Sequence, residues 1–587
     1  MIICDRRQTI LDEDGHLLIV GGPGSGKTTI ALQKATKIIA AGLQPGQSIL
    51  FLSFSRAAVA RVAEASSLLV DKTVRSQLSL QTFHSFCWSL LKSHGYLLGS
   101  PKGKLKILLP QDEKALSGGV KAPKKGEKAT AKWLEWQVER ERLFAEEGQI
   151  CFDLFAPKSS ELLGRCQMLR ELVADTHPVI IVDEAQDTGD AAWSCIEKLA
   201  GLCQIICLAD LDQQIFDHLE GVGPERIEHI KDALDPVFVD LGSDNNRSPG
   251  TEIAVFGNDI LEKTPRRAPY AGVDRILYDS RQEPAQWIRV ALGRFFGSAK
   301  ANGLELENIA ILATTGRGVA KISAALNSGA KPIPHKVLFD EAGVLLSARL
   351  AAFLLEPKLP ERRAADIATC LELLASIRRA LGSATAIKDA ATYLTWSASI
   401  AAGKPPKTKL ARSAEAVING AADLVLTGDP GRDWIQIKTL LYRTGVTEFK
   451  QVAEALDYLI AFNRGKRISA NLSEMWMTKG AYISARQGLD NALVQDQLLA
   501  DGNDTQGIHV MTIHKSKGKQ FDAVILVRES IRLGANVFRS SLVWRGDEAP
   551  YDRSRKILRV GITRARRYVL MLEPTFPACP IMSEHRL

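Results

Sequence analysis

The sequence lacks any segment suited to crossing a membrane. No run of about 18 apolar residues occurs in the 587 residues of the chain, and a transmembrane helix needs roughly that many. The first residues, 1–7, lack the apolar core and the small-residue cleavage site of a secretory signal. We therefore expect a cytoplasmic protein that has no membrane partner.

Metal-binding patterns of cysteine are missing as well. The nine cysteines form no CxxC pair, and no cysteine–histidine group has the spacing of a zinc site. Several cysteines lie in apolar runs, as Cys207 does in residues 204–208, which favours reduced and buried thiols. An iron–sulfur site is the alternative, although no spacing supports it.

The sequence also shows neither internal repeats nor coiled-coil heptads. Because a single core rarely exceeds about 250–300 residues, the length predicts two to four structural units. The net charge of +8 permits a polyanionic partner but does not require one.

What the sequence does contain is an alternation of strands and helices. Continuous apolar runs of this kind are typical of parallel strands that are covered on both faces. The runs predict strands over residues 17–20, 48–53, 178–182, 204–209, 236–241, 309–312, 509–511, 523–527 and 568–572. Helices are predicted over 28–40 and 56–69, which completes a β–α–β order near the start of the chain.

Two mainly helical stretches interrupt this alternation. Residues 86–171 include a charged helix predicted over 133–147 and a Lys-rich segment at 118–132. Residues 341–504 are rich in Ala and Leu and are broken by a basic loop at 404–409. Each basic segment is either a solvated loop or a contact for nucleic acid. We therefore predict an α/β fold with helical insertions.

A glycine-rich loop at residues 21–28 matches the pattern GxxxxGK[ST] and lies between a predicted strand and a predicted helix. Its backbone N–H groups and the helix N-terminus favour phosphate binding, Lys27 is expected to reach the β- and γ-phosphates, and the Thr28 hydroxyl to bind Mg²⁺. The residues predicted to bind the nucleotide here are Gly22, Pro23, Gly24, Ser25, Gly26, Lys27, Thr28 and Thr29.

An acidic pair, Asp183 and Glu184, follows the predicted strand 178–182. Asp183 is expected to join Thr28 in binding the metal ion, and Glu184 to orient the attacking water as a base. Together with the glycine-rich loop, the pair predicts nucleotide hydrolysis. These residues alone leave a kinase, an ABC-type ATPase and an AAA+ ATPase open.

The acidic pair belongs to the sequence DEAQD, which resembles motif II of superfamily 1 helicases. Further segments resemble the motifs of the UvrD/Rep/PcrA family in the family's order. They are residues 53–58 for motif Ia, 81–86 for Ib, 209–216 for III, 241–248 for IV, 510–518 for V and 559–566 for VI. The resemblance implies two RecA-like P-loop motor domains, each with a mainly helical insertion. The implied subdomains are 1A (1–85 and 172–245), 1B (86–171), 2A (246–340 and 505–587) and 2B (341–504).

The resemblance also implies roles for residues around the nucleotide. Gln8 would read the edge of adenine, although an ordinary position on a helix surface is the alternative. Gln213 would sense the γ-phosphate, and Arg247 and Arg564 would be arginine fingers. Gln520, at the position of the family's motif V glutamate, would contact the nucleotide.

Contacts with nucleic acid are implied on motifs Ia, Ib, III and V. The implied residues are Ser55, Arg56, Thr82, Phe83, His84, Phe216, His218, Thr512 and His514. Phe54, Phe83 and Phe216 would stack on bases, which is worth about 1–3 kcal/mol per base. For each of these rings, burial in the core is the alternative.

The sequence departs from the family pattern at several positions. Asn246 stands where the family has an aromatic residue that stacks on adenine, His218 replaces a tryptophan, and Gln520 replaces a glutamate. Arg553 and Ser554 stand where the family has acidic residues. We expect weaker stacking and a relaxed preference for ATP, but an active enzyme because the catalytic set is intact.

The resemblance therefore implies an ATP- and Mg²⁺-dependent DNA helicase or translocase that moves 3′ to 5′ on single-stranded and tailed duplex DNA. Its role would be DNA repair or antiphage defence. The trim chain resembles the helicase subunit of Gabija-type antiphage systems, which implies a partner nuclease. The alternatives are a DNA-sensing regulatory ATPase subunit that gates such a nuclease, and an RNA helicase.

Overall fold

The chain forms two compact units in a computed structural model. The larger unit comprises Met1–His94, Ala156–Phe339 and Ala500–Leu587, and the smaller comprises Gly95–Phe155 and Asp340–Leu499. The structure describes residues 4–582 except 23, 55, 70, 124–126, 211–224, 243–249, 267, 280, 283, 302–306, 329–330, 338–341, 461–462, 499–505 and 535–536.

Strands occur in both units, and four of them are buried along their whole length. They are β1 (Leu17–Val20), β2 (Ile49–Ser53), β3 (Leu78–Thr82), β4 (Lys106–Leu108), β5 (Gln149–Cys151), β6 (Val179–Val182), β7 (Gln204–Ala209), β8 (Val237–Asp240), β9 (Val273–Tyr278), β10 (Asn308–Ala313), β11 (Lys336–Val337), β12 (Gly507–Thr512), β13 (Phe521–Val527), β14 (Ser530–Arg532), β15 (Phe538–Ser540) and β16 (Ala565–Pro574).

Helices cover the faces of these sheets and build most of the smaller unit. They are α1 (Asp5–Asp12), α2 (Lys27–Gly42), α3 (Arg56–Leu69), α4 (Lys72–Ser76), α5 (Phe83–His94), α6 (Pro110–Leu116), α7 (Ala131–Arg142), α8 (Phe155–Arg165), α9 (Gln167–Thr176), α10 (Asp190–Ala200), α11 (Glu225–Leu234), α12 (Ile253–Glu262), α13 (Pro284–Ala301), α14 (Gly316–Asn327), α15 (Ala342–Leu355), α16 (Arg363–Ala380), α17 (Ala384–Ala401), α18 (Lys409–Ala422), α19 (Pro430–Arg443), α20 (Thr447–Ile460), α21 (Asn463–Lys479), α22 (Ala485–Leu498), α23 (Ile513–Ser516) and α24 (Asp552–Ile562). None of the helices, within the described part of the chain, is long and apolar enough to cross a membrane.

The larger unit contains two six-stranded parallel sheets. The first has the order β3-β2-β6-β7-β1-β8 and the second β11-β12-β10-β13-β16-β9. Fully buried strands such as β1 and β13 explain why their sequences are continuously apolar instead of alternating. The α/β fold class with two parallel sheets and helical insertions is therefore confirmed.

The first sheet directs three chain segments to the same edge. In a parallel sheet the carboxyl ends of neighbouring strands meet, and β6, β7 and β1 are neighbours in this order. The glycine-rich loop follows β1, Asp183 follows β6, and Asp210 follows β7. The order of the strands therefore places the loop and the acidic residues together.

The smaller unit is mainly helical and includes parts of both predicted insertions. Its apolar helix α15 packs against α16, α20, α22 and α6, and β4 pairs with β5. Arg349 of α15 donates from Nη2 to Asp112 Oδ2 and to Asp490 Oδ1, at 2.8 Å each. These bonds tie residues 95–155 to residues 340–499. Residues 86–94 and 156–171, which the sequence assigns to the first insertion, belong to the larger unit.

An acidic cluster in the smaller unit has the composition of a metal site. Glu113, Cys151 and Asp153 bring one ligand atom each within 4.8 Å of the others. However, Arg140 Nη1 donates to Asp153 Oδ2 at 2.5 Å. Burial, followed by the nearby charge of Asp153, raises the pKa of Glu113 to about 7. Because the cluster has its own cation and a carboxyl that readily holds a proton, we assign no metal to it.

Candidate nucleotide site and nucleic-acid contacts

Backbone hydrogen bonds to residues that follow neighbouring strands hold the start of the glycine-rich loop. Gly21 N–H donates to Ala209 O at 3.3 Å and Gly22 N–H to Gly242 O at 3.0 Å. Gly24 and Gly26 have φ angles of 86° and 92°, a left-handed conformation that side chains disfavour. The loop is therefore anchored to the ends of neighbouring strands.

Lys27 begins α2 and lies at the mouth of the loop. Its Nζ donates to Gly21 O at 2.5 Å and to Gly22 O at 3.1 Å, and lies 3.7 Å from Asp210 Oδ2. Ser25 Oγ is buried and makes no hydrogen bond with any residue that the structure describes. An ammonium group and an unsatisfied hydroxyl at this position suit a phosphate ligand.

Arg7 of α1 supports the loop, and the sequence analysis missed it. Its side chain is buried, and Nη2 donates to Ser25 O at 3.3 Å. A charged residue in a short helix of low apolar content carries no signal that separates a buried support from a surface residue. The neighbouring Gln8 is exposed and donates from Nε2 to Asp12 Oδ2 at 2.7 Å, so its role at adenine stays a prediction.

The acidic pair is held in an unusual backbone conformation. Asp183 is buried, and its N–H donates to Leu52 O at 2.8 Å. Glu184 has a φ of 55°, which is uncommon for a residue with a side chain and is often found at functional sites. Gln186 joins the two strand ends, since it donates to Glu184 Oε2 at 2.6 Å and accepts from Asp210 N–H at 3.0 Å.

Three positive charges act on the carboxylate of Glu184. Burial raises the pKa of this carboxyl, but the charges of Lys517, Lys27 and Arg564 and the bond from Gln186 outweigh burial, so the pKa lies below its usual value. Glu184 is therefore ionised at neutral pH and can accept a proton from water or orient it.

Arg564 comes from the second sheet, in the turn between α24 and β16. Its side chain is buried, Nε donates to Val560 O at 2.9 Å, and Nη2 donates to Thr563 Oγ1 at 3.4 Å. Because its charge acts on Glu184, the structure brings Lys27, Glu184 and Arg564 into one site. This site draws on both sheets of the larger unit.

A buried ion pair joins the same two sheets. Lys517, which follows α23, bonds through Nζ to Asp187 Oδ2, and the two side chains are 7% and 4% exposed. Burial, partly offset by Lys517, raises the pKa of Asp187 to about 6. Both residues lie within segments that resemble family motifs, but no role was predicted for either.

Several predicted site residues lie outside the described residues. They are Pro23, Ser55, Gln213, Phe216, His218, Asn246 and Arg247. Arg56 begins α3. Gln520 immediately precedes β13. Its Oε1 accepts hydrogen bonds from Arg566 Nε at 3.2 Å and from Arg566 Nη2 at 3.1 Å.

The aromatic residues of motifs Ia and Ib pack together. The Phe83 ring is 2% exposed and stacks on Phe54, with centroids 5.1 Å apart and planes 9° apart. In this arrangement Phe83 is a core residue and Phe54 is half-buried, so Phe54 presents the more accessible ring. The Thr82 hydroxyl bonds to Ser85 Oγ at 2.7 Å, and His84 is exposed.

The motif V turn carries the other predicted contacts. Thr512 caps α23 by accepting from Lys515 N–H at 3.4 Å. The His514 ring lies 5.0 Å from that of Trp544, and the Arg553 guanidinium lies over the Trp544 ring at 5.6 Å. Trp544 is half-buried and was not predicted, because no periodic pattern marks its loop.

The basic loop at 404–409 contributes to a pocket in the smaller unit. The pocket has a volume of about 460 Å³, and its cations are Lys407, Lys409, Arg412 and Arg443. All four are exposed, and none forms an ion pair with a carboxylate of the described residues. The pocket is therefore a concentrated positive surface suited to phosphate groups.

Comparisons with known proteins agree with the motif order. The family model of the UvrD/REP helicase N-terminal domain matches residues 4–140 and 108–223. A probable DNA helicase II homolog of Rickettsia conorii is 22% identical over 96% of this chain and 91% of its own length. The putative ATP-dependent DNA helicase YjcD of Bacillus subtilis is 22% identical over 97% of this chain and 78% of its length. The ATP-dependent DNA helicase PcrA of the same organism is 22% identical over 96% and 81%. The chain is therefore similar to UvrD/REP helicases in its N-terminal region and, at low identity, to DNA helicases along nearly its whole length.

Proposed function

We propose that this protein is an ATP-dependent DNA helicase or translocase that moves 3′ to 5′ on single-stranded DNA and unwinds tailed duplexes. The observation that carries the proposal is that the second sheet reaches the turn of the acidic pair, where Lys517 bonds to Asp187 and the charge of Arg564 acts on Glu184. An arginine supplied by a second sheet fits a motor, because hydrolysis then changes the contact between the two sheets.

The residues present fit a magnesium–nucleotide complex. The Thr28 hydroxyl and the Asp183 carboxylate are hard oxygen donors of the kind that Mg²⁺ prefers, and the buried Ser25 hydroxyl is free to meet a phosphate oxygen. Thr28 and Asp183 would hold Mg²⁺, which supplies charge neutralisation at the phosphates.

The side chains of the site then perform separate tasks. Lys27 exchanges the carbonyls of Gly21 and Gly22 for phosphate oxygens. Glu184, ionised because positive charges act on it, orients the attacking water and accepts its proton. Arg564 neutralises charge that develops on the transferring group. Binding of ATP would draw the two sheets together, and hydrolysis would release them, which moves the strand by one step per cycle.

Steady-state ATP hydrolysis with and without a single-stranded DNA oligomer tests the proposal. We expect stimulation of at least about tenfold by DNA, and loss of hydrolysis in Lys27→Ala and Glu184→Gln. Duplexes with 3′ or 5′ tails then test polarity, and RNA oligomers test the preference for DNA. Hydrolysis that survives in both variants would overturn the assignment of the site.

Hydrolysis in the wild type without stimulation would instead favour the regulatory subunit. The partner nuclease, and the choice between DNA repair and antiphage defence, stay predictions. Assays with the product of a neighbouring gene would test the nuclease.

A further inference from the structure

The buried ion pair between Asp187 and Lys517 is unused by the chemistry of hydrolysis. The two residues are separated by 330 positions in the chain and come from different sheets. Asp187 ends the short turn of Ala185–Asp187 that follows Glu184. Asp187 Oδ1 is buried and has no hydrogen-bond partner among the residues that the structure describes. The bond from Lys517 therefore offsets much of the desolvation cost of this buried carboxylate.

Lys517 is fixed to a turn that carries predicted DNA contacts. Its backbone N–H donates to His514 O at 3.2 Å, and Ser516 Oγ donates to Ile513 O at 2.7 Å. Thr512 caps the same turn. A displacement of His514 is thus passed through one hydrogen-bonded turn of backbone to the root of the Lys517 side chain.

The outer side of this turn is accessible to a ligand. His514 is half-buried and packs against the half-buried Trp544, over which the Arg553 guanidinium lies. An imidazole, an indole and a guanidinium together suit the stacked bases and phosphates of a single strand.

The inner side of the turn faces the catalytic carboxylate. The positive charge of Lys517 acts on Glu184 more strongly than those of Lys27 and Arg564 do. A change in the position of the Lys517 Nζ therefore changes the electrostatic environment of the base. In addition, it shifts Asp187, which shares a turn with Glu184 and whose N–H donates to Glu184 O at 2.9 Å.

We propose that Lys517 and Asp187 are a positioning pair through which nucleic acid bound at the Thr512–His514 turn accelerates ATP hydrolysis at Glu184. The inference deepens the proposed function and rests on it, since it assumes DNA-stimulated hydrolysis. Neither residue touches the reacting atoms. The pair transmits the position of the second sheet to the base of the first, and it requires a cation at 517 and a carboxylate at 187.

The test compares the stimulation factor, defined as the turnover number with saturating single-stranded DNA divided by that without DNA, in full-length variants. The variants are Lys517→Met, Asp187→Asn, and the double variant, which leaves neither buried charge without its partner. Lys519→Met is the matched control, because it makes the same change on the same segment at a half-exposed position. Lys517→Arg keeps the cation and tests for rescue.

We expect the stimulation factor to fall about tenfold or more in Lys517→Met, Asp187→Asn and the double variant, within the usual range of coupling between sites. The dissociation constant for DNA, measured by fluorescence anisotropy, should change less than about threefold. Lys517→Arg should recover part of the factor, and Lys519→Met should match the wild type.

A stimulation factor retained in the double variant would overturn the inference, as would an equal fall in Lys519→Met. A parallel loss of DNA affinity would also overturn it, since Lys517 would then be a DNA contact. If a single variant fails to fold, as measured by circular dichroism, the double variant decides. A wild type that DNA does not stimulate would refute the proposed function itself, so the two failures are distinguishable.

Discussion

Replacement of Arg564 by Ala removes one of the two cations, with Lys517, that the second sheet contributes to the proposed catalytic site. The guanidinium is 1% exposed, and its direction is set by the bond from Nε to Val560 O. A side chain held in this way is ready to stabilise charge without reorganising when the reaction occurs. The substitution therefore deletes a fixed charge and not a mobile surface group.

The size of the effect follows from the charges that remain. Arginine fingers contribute about 10³- to 10⁵-fold to turnover, and Lys27 and Lys517 still face Glu184 in the variant, so we expect the lower end, about 10³-fold or 4 kcal/mol. KM for ATP should change less than about threefold, because the glycine-rich loop provides most of the ground-state binding. Loss of the bond to Val560 O should lower the free energy of unfolding by about 1–3 kcal/mol.

The assay is steady-state hydrolysis at saturating ATP, with urea unfolding of the same preparations. Arg566→Ala is the matched control, because Arg566 is exposed two positions further along and bonds to Gln520. We expect its turnover to stay within about threefold of the wild type. A folded Arg564→Ala variant whose turnover is within about tenfold of the wild type would refute the reasoning.

Three further changes test other parts of the structure. In Arg7→Ala the Ser25 carbonyl loses its buried donor, so KM for ATP should rise about tenfold while the turnover number stays almost unchanged. An unchanged KM would contradict this prediction. Because the folded-state pKa of Glu113 is raised to about 7, the stability that this group contributes is fully present below its ordinary pKa and is lost as pH rises through about 7. The protection factors of the α6 amides, which correct for the faster intrinsic exchange at high pH, should therefore be lower at pH 8 than at pH 5, and Glu113→Gln should remove the difference. Lys409→Glu with Arg412→Glu should weaken duplex DNA binding and flatten its dependence on salt, whereas equal salt slopes would exclude a contact at the pocket.

Local signals in the sequence were sufficient for much of the fold. Most strands of both sheets were predicted from apolar runs, and β7 begins and ends where it was predicted. The helix predicted over 133–147 is α7, which continues into a π-helical turn at Leu143–Glu147. By contrast, β3, β9 and β11 were not predicted. The burial of β3 and β9 is partial and interrupted and their sequences alternate weakly, and β11 has only two residues.

Site residues whose placement depends on the backbone of only a few neighbouring residues could also be predicted from the sequence. The glycine-rich loop and the Asp183–Glu184 pair each lie at the end of a strand, so the parallel sheet alone brings them to one edge. Contacts between distant segments were decided only by the tertiary structure. Burial of Phe83 against Phe54, support of the loop by Arg7, and the pairing of Lys517 with Asp187 depend on which surfaces meet. The sequence around a lysine or a phenylalanine looks the same whether the side chain is buried in the core or contacts a ligand. The neighbours of the side chain in three dimensions determine which of these two environments is lower in free energy.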